Sequence, residues 1–199
     1  MANTVRSPLR LALAVAACAL GIAAHGATAT PSAPKLVQKP QPALSAVRLE
    51  SAVHDLINRE RRAQRLKLLG SDARLAAVAR GHSADMAKRS YFSHASPEGD
   101  NFDGRYRKAG YKCFVPVGDV IHGGAENIAR EDSFASITTL NGRQYYDWLP
   151  EAEIARRAVA GWMKSPGHRA NILTPHWSRE GIGIVVTPDH KVYLKQDFC

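Results

Sequence analysis

The stretch Pro150-Glu151-Ala152-Glu153-Ile154-Ala155-Arg156-Arg157-Ala158-Val159-Ala160-Gly161-Trp162-Met163-Lys164-Ser165-Pro166-Gly167-His168-Arg169-Ala170-Asn171-Ile172-Leu173 decides how the rest of the chain must pack. Ile154, Ala158 and Trp162 recur every four residues and form one apolar stripe, flanked by Ala155 and Val159. Pro150 at the start, Glu151 and Glu153 in the first turn and Lys164 in the last suit a helix and its dipole. Ser165-Pro166-Gly167 then breaks the helix and leaves His168 just past a rigid end. A helix with one apolar face needs a second layer to cover it.

Downstream, Gly181–Thr187 and Val192–Phe198 are β-rich runs around Pro188-Asp189-His190-Lys191, which predicts a hairpin. Upstream, Leu49, Val53, Leu56 and Ile57 predict a helix from about Val47, with Ser45 as a possible N-cap, fading near Gln64. A second helix is expected from Ser71 or Asp72 to about Ser90, carrying Leu75, Ala79, Ser83 and Met86 on one stripe. Phe102 and Tyr106 suggest a short third helix stopped by Gly110. One more strand is expected over Lys112–Val117. Residues 131–149 show no clear period and read as a long surface loop. Helices on both sides of a few strands make an α+β fold, a three-layer α-β-α sandwich.

The 199 residues suit one ordinary domain with extensions, and 45% apolar with 23% charged residues is a globular balance. Arg6 and Arg10 precede an apolar run from Leu11 to Ala24, and Ala27-Thr28-Ala29 supplies the small residues of a cleavage site. Residues 1–29 therefore read as a secretory signal, the run being shorter than a membrane span of about 20 residues. A lipoprotein signal is the alternative, because Val15-Ala16-Ala17 precedes Cys18. Residues 30–46, with four prolines, read as an extended linker, and residues 47–199 as the folded domain, with no transmembrane span in the mature chain. Export leaves Cys113 and Cys199 as the only cysteines, and a disulfide between them is expected. The formal net charge of +9 favours acidic partners. An anionic envelope polymer fits that charge, and nucleic acid is the weaker of the two.

No HExxH, GxSxG, Walker or dinucleotide glycine pattern is present. His94, Glu126 and His168 each lie next to a break in regular structure, where sites are commonly built. Two imidazoles with a carboxylate can hold a divalent cation or move a proton near neutral pH. On spacing alone the plainer reading is preferred, in which the histidines cap loops and Glu126 accepts backbone hydrogen bonds. His82 reads as a satisfied histidine at the core edge, and His54, His122, His176 and His190 show no partner pattern. The cluster Arg59, Arg61, Arg62, Arg65 and Lys67 reads as a solvated helix face.

Tyr91-Phe92-Ser93-His94-Ala95-Ser96-Pro97, Gly124-Ala125-Glu126-Asn127-Ile128-Ala129, Trp162–Leu173 and Gly181-Ile182-Gly183 resemble, in this order, the motifs of the CAP superfamily. These are the cysteine-rich secretory, venom-antigen and pathogenesis-related proteins that share the SCP domain, and the likeness is to their bacterial secreted branch. The resemblance implies an α-β-α sandwich with a cleft lined by two histidines and two acids, which some members use to bind zinc or another divalent cation. Carried over by motif, His94 and His168 are the histidines and candidate metal ligands, and Glu126 is the first acid. Ser165 occupies the place of the second acid, and Ala125 stands where glycine is usual. The implied function is a binding module for a small or lipid ligand, with no residue assigned a catalytic role. A metal-assisted hydrolase with Glu126 as general base is the alternative; a Ser165 nucleophile lacks arranged oxyanion donors.

Overall fold

The structure is a computed structural model that describes residues 36–199. The expected signal sequence over residues 1–29, with Cys18, and the expected linker up to Lys35 lie outside the described residues. Helix α1 (Ala46–Ala63) is capped by the Ser45 hydroxyl, which accepts from Arg48 N. Helix α2 (Ala73–Lys88) is capped by Asp72 rather than Ser71, its carboxylate accepting from Arg74 and Leu75 N. Helix α3 (Phe102–Lys108) ends before Gly110, whose φ of 61° is the left-handed conformation expected of it.

Four strands form the central sheet in the order β1 (Gly70–Ser71), β7 (Arg179–Val186), β8 (Lys191–Phe198), β4 (Ala125–Asp132). Strand β1 runs parallel to β7, and the other pairs are antiparallel. On one face Ile182, Ile184, Val192, Leu194 and Phe198 pack against α1 and α4 (Glu151–Lys164), burying Leu49, Val53, Ile57, Ile154, Ala158 and Trp162. On the other face α2 lies directly on the sheet, and Gly181 and Gly183 make this approach possible. A Cβ on Gly181 would overlap Leu75 C and Ala76 N, and one on Gly183 would overlap Ala79 C and Arg80 N.

Three expectations are corrected. Residues 131–149 are not a loop: β4 runs to Asp132, and β5 (Phe134–Leu140) pairs with β6 (Arg143–Trp148) across Asn141-Gly142, both at positive φ. That dipeptide is a strong hairpin turn signal, masked by polar strands that bury almost nothing. Ser165-Pro166-Gly167 ends α4 but immediately opens α5 (Pro166–Leu173), with proline in its first turn, where no N–H is missed. The strand expected over Lys112–Val117 shortens to β2 (Val115–Val117), which pairs with β3 (Val120–His122) in a separate hairpin.

The Cys113–Cys199 disulfide is formed, with α-carbons 5.5 Å apart and a sequence separation of 86 residues. It ties the entry of the β2–β3 hairpin to the chain end beside β8. The chain-entropy model gives about 4.5 kcal/mol for a loop of this size.

Because α2 rests on backbone at Gly183, a single methyl there has nowhere to go. Gly183→Ala is expected to lower the unfolding free energy by about 3 kcal/mol or more, read from urea denaturation at constant m-value.

Candidate functional site

Strand β4 is the open edge of the sheet, and His94, Glu126 and His168 gather beside that edge. His94 arrives from the loop after α2, and His168 from the first turn of α5. The edge carbonyls of β4 are capped by side chains: Trp162 Nε1 donates to Ile128 O at 2.9 Å, and Asn171 Nδ2 donates to Glu126 O at 3.1 Å. These contacts dock α4 and α5 and hide an edge that would otherwise invite strand pairing. Asn127 donates to His168 O and to Gln196 Oε1, and its own oxygen accepts from Asn171. Gln196 in turn donates to Glu180, which pairs with His54 at 2.6 Å. A buried row of amides thus runs from the cleft wall across the sheet.

The position of α5 is set from its far end by Arg61, which is fully buried rather than solvated. Its guanidinium donates to the carbonyls of Lys67, Ile172, Thr174 and Trp177. A cation at a helix C-terminus is favourable, and this one joins α1 to α5 and the turn beyond.

His94, Glu126 and His168 come together. The imidazole centroids of His94 and His168 are 6.2 Å apart, and His94 Nδ1 lies 2.6 Å from Glu126 Oε1. The Glu126 side chain is 2% exposed and also meets Arg105 Nη2 at 2.5 Å and Lys195 Nζ at 2.8 Å. Burial alone would push its pKa up, but the His94 hydrogen bond and the charges of Lys195 and Arg105 outweigh it and hold the pKa down at about 2. An ionised carboxylate can only accept, so the His94 nitrogen that faces it, Nδ1, is the donor and carries a proton. Burial, then the neighbouring His94, lowers the His168 pKa, which favours a neutral ring. Ser165 sits at the α4–α5 corner, three residues before His168, and its hydroxyl makes no capping bond.

Arg105, Lys195 and Asp197 were not singled out from the sequence. Lys195 also lies 3.0 Å from Asp197, and both are fully buried under α2. Burial pushes Asp197 up to about 7 despite Lys195. His82 is buried as expected but not satisfied: neither ring nitrogen has a hydrogen-bond partner among the described residues. Burial, with Arg105 and Lys195, pushes it down to about 4. Among the described residues, no three His, Cys, Asp or Glu side chains are arranged to hold a metal ion.

Removing the Glu126 charge leaves Arg105 and Lys195 facing each other with one partner fewer. Glu126→Gln is expected to cost about 3–5 kcal/mol of stability at neutral pH, measured by chemical denaturation. In the wild type the Glu126 contribution is fully present above its ordinary pKa of 4.5 and is lost as pH falls toward about 2. The gap between the two proteins should therefore narrow over that range.

A model of the cysteine-rich secretory protein family matches residues 54–198. The uncharacterized protein YkwD of Bacillus subtilis (strain 168) is 34% identical over 137 residues, spanning 68% of this chain and 42% of that protein. Among solved structures, an extracellular protein containing a SCP domain from Bacillus anthracis str. Ames has a TM-score of 0.55 at 27% identity, over 77% of this chain and 40% of that one. An outer surface protein of Borrelia burgdorferi shares the fold, with a TM-score of 0.58 at 16% identity over 78% of this chain and 94% of its own. The chain thus spans less than half the length of the B. subtilis and B. anthracis proteins. With more than half of its residues matched by the family model and the α-β-α sandwich in place, the chain belongs to the CAP family of cysteine-rich secretory proteins.

Proposed function

We propose that this CAP domain is a binding module whose cleft presents two imidazoles, His94 and His168, to a small ligand or a divalent cation. The observation that carries this reading is the commitment of Glu126. Both its oxygens are engaged by His94, Arg105 and Lys195, and a carboxylate held near a pKa of about 2 is a feeble general base. Its role is to orient His94, as a carboxylate does behind a metal-bound or ligand-bound histidine. The hydrolase alternative loses its base by the same contacts.

The imidazole pair fits a transition-metal cation as two ligands. Rings sharing an ion at about 2.0–2.1 Å place their centroids roughly 5–6 Å apart, and the 6.2 Å separation is close to that span. Such a cation, when bound, offers its remaining positions to an oxygen or nitrogen of a ligand. Ser165 supplies no second negative charge, so affinity is modest. Calorimetric titration with ZnCl2 should give measurable heat for the wild type and none for His94→Ala or His168→Ala. Unchanged binding in both variants rejects the imidazole site, and zinc-dependent turnover of a peptide and ester panel rejects the non-catalytic reading.

The domain is further proposed to be exported through residues 1–29 and tethered by residues 30–46. The disulfide supports an oxidising compartment. Intact mass of protein recovered from culture fluid should correspond to a chain starting at Thr30 with no free thiol. A diacylated species starting at Cys18 supports the lipoprotein route instead, and an unprocessed, reduced cytoplasmic chain overturns export.

A further inference from the structure

The β2–β3 hairpin is unlike any other part of the described chain. Phe114, Val117, Val120 and Ile121 are 66%, 41%, 57% and 55% exposed within a short stretch of chain. Pro116 faces Ile121 and Val117 faces Val120 across the pair, joined by a tight turn with Gly118 at positive φ. Val115 points inward and packs on the core. Phe114 and Pro116, on either side of it, therefore face outward and form an apolar face with Ile121. A two-stranded hairpin is marginal by itself, yet this one is pinned at both ends. Cys113 precedes it in the disulfide, and His122 at its end stacks on His176 with centroids 4.2 Å apart.

The surroundings are cationic. A groove of about 420 Å³ runs beside the hairpin between Tyr106, Tyr111, Phe114 and Lys112. Arg74 lies over the Tyr111 ring at 5.7 Å and donates to Gly110 O. Arg107 is paired with Asp103, whereas no carboxylate among the described residues lies within ion-pair distance of Arg74 or Lys112. Asp119 is the only acid on the hairpin, and it occupies the turn.

We propose that this face is a contact surface for an anionic lipid bilayer. The hairpin would lie flat, with Phe114, Pro116 and Ile121 in the headgroup–acyl boundary, Lys112 and Arg74 at the lipid phosphates and Asp119 in water. Apolar residues flanked by unpaired cations are what an interfacial anchor requires. A second copy of the chain is a poorer occupant. The exposed side chains offer roughly a few hundred Å², short of the ~800 Å² per partner of a stable interface, and would bring like charges together.

The test uses the oxidised protein from Thr30 to Cys199, without the apolar run Leu11–Ala24, carrying Phe114→Trp, with the emission of the native tryptophans subtracted using the parent protein. Vesicles of phosphatidylcholine with about 30% phosphatidylglycerol should blue-shift the added tryptophan, and pure phosphatidylcholine vesicles should shift it far less. Added salt should reverse much of the shift. Ile121→Ser or Lys112→Glu in the same background should weaken partitioning roughly tenfold, with unchanged near-ultraviolet circular dichroism. An emission maximum indifferent to both vesicles overturns the proposal. An equal, salt-insensitive shift with both overturns the role of charge, and a concentration-dependent shift without vesicles assigns the face to self-association instead.

Discussion

Glu126 carries a full negative charge at the edge of the sheet beneath α2, and the architecture around the cleft is built to tolerate it there. An unpaired carboxylate at that depth would simply take up a proton. This one stays ionised because three elements each send a donor to it: β8 through Lys195, α3 through Arg105 and the loop after α2 through His94. The same arrangement works in reverse, since each of those elements is held in place by the carboxylate. Arg105 extends the tie by donating to His94 O and Asp100 O. The loop carrying His94 is thus fastened through both its backbone and its ring.

The opposite wall is positioned by a different kind of force. Among the described residues no ion pair holds His168; an amide does, through its backbone carbonyl. Asn127 and Asn171 connect β4 to α5, while Arg61 collects the carbonyls beyond the helix. One wall is therefore locked by charge and the other by neutral hydrogen bonds and a capped helix end.

The amphipathic helices were legible because each buries one main face, which leaves a period in the sequence, and the β7–β8 hairpin because its strands, buried on both faces, are continuous β-rich runs around a turn. The site trio was legible only through its motifs, since nothing in the spacing of residues 94, 126 and 168 brings them together. What escaped lay where burial leaves no period. Strand β4 mixes Glu126, Asn127 and Arg130 with apolar residues because its side chains serve a charge network and an amide row. Strands β5 and β6 are mostly exposed and show alternation on neither face. Arg61 could have been found: it continues the four-residue spacing of Leu49, Val53 and Ile57, which places it on the buried face among basic neighbours that are not. Lys195 and Asp197 alternate with Leu194, Gln196 and Phe198. In a strand covered on both sides, that alternation places a pair of opposite charges under α2.

At position 165, where the family resemblance implies an acid, this chain carries a serine at the α4–α5 corner. With an acid there, the two imidazoles would face a negative charge not already bound to the protein, and a cation would be drawn in by it. Here the site's carboxylate is Glu126, and two cations compensate it from behind. Beside it stands a pair of rings, His94 and His168, with centroids 6.2 Å apart. His94 carries a proton on Nδ1, and the His168 pKa is lowered by burial and by its neighbour. Ser165 brings no carboxylate to the pair, and the carboxylate that is present, Glu126, is already held by His94, Arg105 and Lys195.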